Sequence, residues 1–185
     1  MGCWDTETSV EKGESSLKMS GPIFEYLSKD HARLDALLCQ SVARPGEIEM
    51  SSYAVFRAGL LRHIGLEEKI LLPATRRARD GVSLPIAVQL RRDHGVLAAL
   101  LVPTPTLDIV AVIQELLETH NALEECEGGL YETCERLIAA NADSILAQLR
   151  DAPEVPVAPH SDAPRVHEHI QTLLNAARGR SSRDP

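Results

Sequence analysis

The sequence predicts an all-α protein: an antiparallel, up-and-down four-helix bundle with an extra C-terminal helical segment. Three observations predict it. Hydrophobic residues make up 44% of the 185, yet aromatics only 3%. Leu and Ala therefore carry the apolar content, which favours helices over sheets. Four stretches space their apolar residues three and four apart, the period of a helix with one buried face. The breaks between them, at Arg44-Pro45-Gly46, Asp80-Gly81 and Pro103-Thr104-Pro105, leave short connections. Short connections make consecutive helices run in opposite directions.

The elements follow in order. Residues 1–20 are polar and read as a disordered leader. The domain proper spans 21–150. Its first helix starts near Ser20-Gly21-Pro22, with Pro22 tolerated in the first turn, and runs to about Ala43 with the stripe Leu27, His31, Leu34, Leu38. The second starts near Ser51 or Ser52, either a good N-cap. Its stripe is Phe56, Leu60, His63, Glu67, Ile70, and Pro73 is expected to kink or shorten it. The third starts at Ser83 to Pro85 with the stripe Ala87, Leu90, His94, Leu97, Leu101. The fourth starts near Thr106 with the stripe Ile113, Leu117, His120, Glu124, Tyr131 and is weakened at Gly128-Gly129. Helical pattern resumes over Tyr131 to Ala140 and again over Asn141 to Arg150. Residues 151–185 form a Pro-rich linker to about residue 164, a short amphipathic helix over 165–178, and a polar tail.

Charge and hydropathy exclude some roles. A formal net charge of −8 speaks against a general nucleic-acid binder. No apolar run approaches the roughly 18–20 residues that span a bilayer, and no basic-then-apolar signal opens the chain, so the expected location is cytoplasmic and no membrane role is expected. Cys3, Cys39, Cys126 and Cys134 fit neither zinc-ribbon nor C-x-x-C spacing and are expected as buried or half-buried thiols.

The chemistry lies in a pattern used twice. Residues 29–38 read K-D-H-A-R-L-D-A-L-L and 92–101 read R-D-H-G-V-L-A-A-L-L; residues 63–68 read H-I-G-L-E-E and 120–125 read H-N-A-L-E-E. His31, His63, His94 and His120 thus each fall inside the apolar stripe of their own helix. Glu67 and Glu124 follow His63 and His120 by one turn on the same face. An unpaired buried carboxylate is costly, and buried histidines resist charging. Six such groups converging in one core need compensation, and metal ions supply it, with neutral imidazole nitrogens and anionic carboxylates as donors. Asp35, one turn after His31, could add a seventh ligand, although its counterpart in the second copy is Ala98. Asp30, Asp93, Glu68 and Glu125 read mainly as solvated faces, with a supporting role behind the histidines as the other reading for the two aspartates. His160, His167 and His169 read as surface residues.

The ordered set D-H-x-x-L, H-x-x-L-E-E-x-x-L-L-P, a third-helix histidine and a final H-x-x-x-E resembles the hemerythrin-like HHE cation-binding domain family over about residues 21–140. The resemblance implies a non-haem di-iron centre, two iron ions bridged by an oxo or hydroxo group. Glu67 and Glu124 would bridge, with His31 and His63 in one half of the site and His94 and His120 completing it. Zinc or manganese also suits these ligands. Oxygen-carrying members have a second histidine one turn along the third helix, where this chain has Ala98. The four-histidine, two-glutamate set looks more like the iron-centre repair proteins and the iron-sensing ubiquitin-ligase subunit of the wider family. Two six-coordinate ions offer about twelve positions; the six residues and a bridging oxygen leave about two for a small ligand. Three roles are compatible. The first is a protein that binds or senses O2, nitric oxide or peroxide. The second is a stress-response role closer to an enzyme, such as peroxide breakdown or iron donation for iron-centre repair. The third is a non-catalytic, metal-stabilised interaction bundle. The protein partner is left open.

Overall fold

The computed structural model describes residues 21–181. The leader expected over 1–20, Cys3 included, and the last four residues of the tail lie outside the described residues. Among the described residues every regular element is helical and there is no strand.

Helix α1 spans Pro22–Ser41. Its first free amides, Ile23 N and Phe24 N, both donate to Glu135 Oε2 at 3.0 Å. That carboxylate sits so close over Gly21 that any Cβ there would collide with it. Helix α2 spans Met50–Leu66. It is capped by Glu49 rather than by Ser51 or Ser52 as the sequence suggested. The Glu49 carboxylate folds back to accept from Ser51 N at 3.0 Å and Ser52 N at 2.8 Å, so the serines become the first-turn residues it serves.

Pro73 does not end this helix. The backbone widens into a π turn over Glu67–Leu71 and continues as α3, Leu72–Arg77. Proline lacks an N–H, and its ring crowds the carbonyl four residues earlier. Widening relieves this, and Leu72 N bonds back five residues to Glu67 O.

Helix α4 spans Ile86–Leu100, and α5 spans Leu107–Glu125. Thr106 caps α5 by accepting from Ile109 N at 3.2 Å. The weak point at Gly128-Gly129 is a full break. Gly128 takes φ +72°, and α6 starts anew at Leu130–Leu137. A 3-10 turn, Ala139–Asn141, leads to α7, Ala142–Asp151, and α8 spans Pro164–Ser181.

Helix α1 packs on α2, α5, α6 and α7, while α4 packs on α5 and α8. The core divides into two apolar clusters. One contains Leu27, Leu66, Leu90 and Tyr131. The other contains Leu34, Phe56, Leu60, Leu97 and Ile113. Helices α1 and α4 run from the first cluster to the second, and α2 and α5 return. On each of the four, the histidine of the stripe falls where one cluster gives way to the other.

The Pro-rich stretch is tied down rather than free. Arg57, 8% exposed, donates to Leu101 O at 2.7 Å and Ala158 O at 2.8 Å. Ser161 N donates to Val102 O at 3.0 Å, and Thr104 donates through N and Oγ1 to the Asp162 carboxylate. These bonds carry His160 inward, so it is half-buried beside the Tyr53 ring, at 6.3 Å between centroids, and not on the surface as expected. His167 and His169 are exposed. Cys134 is buried as expected. Cys39 and Cys126 are exposed, because each falls outside the apolar stripe of its helix.

The Glu135 contact yields a stability prediction. Removing a side-chain cap costs about 1 kcal/mol. Glu135→Ala should destabilise the protein by about that amount in urea unfolding, and an unchanged midpoint would mean that the α1 amides find other partners.

Candidate metal centre

The six residues singled out in the sequence meet at the level between the two apolar clusters. Glu67 and Glu124 are 0% exposed, and the four histidines 2–6%. Two overlapping groups result. His31 and His63 gather with Glu67 and Glu124; His94 and His120 gather with the same two glutamates. Within each group the donor atoms all lie within 4.8 Å of one another, and each group could hold a metal ion. Asp35 belongs to neither: it is exposed and lines the mouth of a cleft, turned away from the stripe.

Each histidine points Nε2 inward. His63 Nε2 lies 3.5 Å from Glu67 Oε1 and His94 Nε2 3.0 Å from Glu67 Oε2. His31 Nε2 lies 3.4 Å from Glu124 Oε2 and His120 Nε2 3.3 Å from Glu124 Oε1. The His94 and His120 Nε2 atoms are 3.2 Å apart. Glu67 Oε2 and Glu124 Oε1 are buried without a well-formed hydrogen bond. Imidazole nitrogens and carboxylate oxygens crowded this way fit a cation once the imidazoles are neutral.

The outer nitrogens correct the reading of the neighbouring carboxylates. His63 Nδ1 donates to Asp30 Oδ2 at 2.9 Å and His94 Nδ1 to Glu68 Oε1 at 2.9 Å. His31 Nδ1 donates to Glu125 Oε1. Asp93 Oδ2 lies 3.8 Å from His120 Nδ1, an ion-pair distance rather than a hydrogen bond. None of the four acids is a simply solvated face. A residue next to a site residue is turned about 100° around the helix, which aims it at the adjacent helix instead of at water. The contacts run α1 to α2, from the π turn to α4, α4 to α5, and α5 back to α1. An N–H held by a carboxylate fixes the ring and leaves Nε2 free to act as a ligand.

Tyr131, which the sequence places only in the apolar stripe, also reaches the cluster. Its ring is 0% exposed. Its hydroxyl donates to Glu67 Oε1 at 2.6 Å and lies 3.1 Å from Glu124 Oε2. His31 Nε2 is at 3.0 Å and His63 Nε2 at 3.3 Å. The signal in the sequence was a phenol hydroxyl in a stripe that already carried His120 and Glu124.

A cleft of about 600 Å³ reaches the site from outside. Leu34, Leu38, Leu60, Leu97 and Leu117 line it together with His31, His63 and His120. Asp35, Glu115 and Glu118 lie along its course.

Burial alone would lower the His63 imidazole. The Glu67 charge and the Asp30 hydrogen bond outweigh it and hold His63 up at about 10. Burial opposes charging of His120 too, but contacts with Asp93 and Glu124 raise it to about 9. Burial works to raise Glu67, yet the His63 charge holds it well below the usual carboxylate range. Burial and the Glu67 charge push Glu124 up. Protonated imidazoles thus balance Glu67 in the metal-free protein.

Comparison with protein-family models, with curated proteins and with solved structures found no match to this chain. Fold and site by themselves define an all-helical protein whose buried histidine–glutamate cluster could hold a metal ion. Among the described residues no helix is long and apolar enough to cross a membrane.

The raised imidazoles set a pH prediction for the metal-free protein. A histidine free in the unfolded chain titrates near 6.5. Stabilisation from His63 and His120 is fully present below that pH and is lost as pH rises through about 9 and 10. The lowered Glu67 acts oppositely, stabilising above its ordinary value of 4.5 and failing in acid. Melting temperature without metal should therefore fall from about pH 6.5 to pH 10; a flat profile over that range would show that the imidazoles are not charged partners of Glu67.

Proposed function

We propose that this chain is a hemerythrin-like di-iron protein that binds or senses a small ligand: O2, nitric oxide or peroxide. The observation that carries the reading is the pair of four-donor groups sharing both buried glutamates. In this reading α1, the α2–α3 rod, α4 and α5 form the antiparallel up-and-down bundle, and the alternating direction of these helices between the two clusters supports it. His31 and His63 would hold one ion, His94 and His120 the other, and Glu67 and Glu124 would be shared. Iron bound there would supply a redox-active Lewis acid with room for a small exogenous ligand.

The chain's own residues do the rest. Glu125, Asp30 and Glu68 fix His31, His63 and His94 by hydrogen bonds so that each presents Nε2 inward, and Asp93 stands at ion-pair distance from His120 Nδ1. The leucines along the cleft give a small uncharged molecule an apolar route and limit water at the centre. The acidic side chains along that route disfavour anions. Iron is favoured over zinc and manganese on the strength of the family resemblance; the donor set itself suits all three. The cleft reaching three of the histidines favours ligand binding over a purely structural metal. Steady turnover of peroxide or ready iron loss would shift the reading toward an enzyme-like stress role or iron-centre repair.

Elemental analysis after anaerobic reconstitution with ferrous iron tests the proposal. Two irons per chain are expected, together with an absorption spectrum that changes on adding peroxide or nitric oxide. A chain that takes up no metal would leave the cluster a proton-balanced structural core. His63→Ala and Glu67→Ala should each lose at least one metal ion, and wild-type metal content in both would remove these residues from the site. Asp30→Asn should bind metal about 10–100-fold more weakly while keeping its stoichiometry, as read by competition with a chelator.

A further inference from the structure

We propose that Tyr131 is a seventh protein ligand, its phenol oxygen binding the ion held by His31 and His63 and so making the two halves of the centre chemically different. This rests on the di-metal reading above.

The geometry carries it. The Tyr131 hydroxyl lies within 3.3 Å of one donor atom from each of His31, His63, Glu67 and Glu124. These are the four members of one donor group. A hydroxyl has one proton to donate and two lone pairs, so it can serve three neighbours and here has four. The position is built, not incidental. Gly129 lets the chain reverse tightly after α5, because a Cβ there would lie 2.8 Å from the carbonyl oxygens of Leu123, Glu124 and Cys126. That reversal starts α6 one residue before Tyr131 and turns its ring back beneath the end of α5. Phe24 packs edge-on against the ring at 6.0 Å, and His31 lies beside it at 5.6 Å. The described hydrogen bonds of the hydroxyl reach no donor of His94 or His120.

The repeat shows the same asymmetry. Tyr131 follows Glu124 by seven residues. The residue seven after Glu67 is Ala74, which has no donor. Only the second copy of the pattern brings an extra oxygen. On coordination to ferric iron the phenol O–H bond breaks, its proton passes to solvent, and the oxygen keeps the electron pair that it shares with the metal. The half with His94 and His120 would keep fewer protein donors, one of which, His120, lines the cleft.

Ferric iron bound to a phenolate absorbs visible light, and its resonance Raman spectrum shows tyrosine ring modes. The protein is loaded anaerobically with ferrous iron and oxidised in air; iron content, visible absorption and resonance Raman are then recorded. The wild-type chain should hold two irons and show both signatures. Tyr131→Phe should retain two irons and lose both signatures, whereas Tyr26→Phe and Tyr53→Phe should keep them. Two irons without a phenolate signature in the wild type, or a signature that survives in Tyr131→Phe, would overturn the proposal and leave the di-iron reading standing. Absence of iron from the wild type would overturn both, and iron content tells the two failures apart. If Tyr131→Phe does not fold, signatures that persist in Tyr26→Phe and in Tyr53→Phe assign the phenolate to Tyr131 by elimination, and their loss in either variant overturns the proposal.

Discussion

Two carboxylates buried to 0% exposure in a leucine core set the terms for everything near them. An isolated ionised carboxylate in apolar surroundings costs several kcal/mol, a large share of the roughly 5–15 kcal/mol that holds a domain folded. Glu67 and Glu124 are tolerated because four imidazoles and a phenol surround them. Those groups are tolerated in turn because outer acids serve the imidazoles' second nitrogens. The apolar clusters above and below exclude water and make these polar contacts matter more. Stability and site are therefore one design problem in this molecule: the groups that would bind metal are the groups whose charges must cancel before the core can close.

Protons and metal ions are alternative solutions to that problem. Without metal, His63 and His120 are held charged well above their ordinary range, and Glu67 is anionic. A cation at the centre needs neutral imidazoles, so its arrival expels protons.

Much of this was legible in the sequence. His31, His63, Glu67, His94, His120 and Glu124 could be picked out because each is a polar residue where a 3.6-residue period demands an apolar one. Helix type and rough extent followed from the same period. What escaped depended on relations between helices. The acids Asp30, Glu68, Asp93 and Glu125 lie off their own stripes, and the histidine each one meets lies on a neighbouring helix. Tyr131 escaped because an aromatic in an apolar stripe already has a sufficient explanation in packing. The π turn escaped because proline's effect on the preceding turn has more than one mechanical outcome, and the pattern of apolar residues does not distinguish them. The capping of α2 by Glu49 reflects a long side chain folding back, a choice that N-cap preferences do not encode.

The four outer acids have a consequence for how the molecule can be divided. Each steadies a histidine on the next helix, and the direction of handover never reverses. Exchange of the first copy of the pattern with the second leaves this order of contacts unchanged. Cut between α3 and α4, either half keeps one complete handover, Asp30 with His63 or Asp93 with His120, and has one acid and one imidazole left unmatched. Those leftovers are complementary: what the first half lacks, the second supplies. Assembly of this centre is thus a closing of two hairpins upon one another, and neither hairpin contains a finished portion of it.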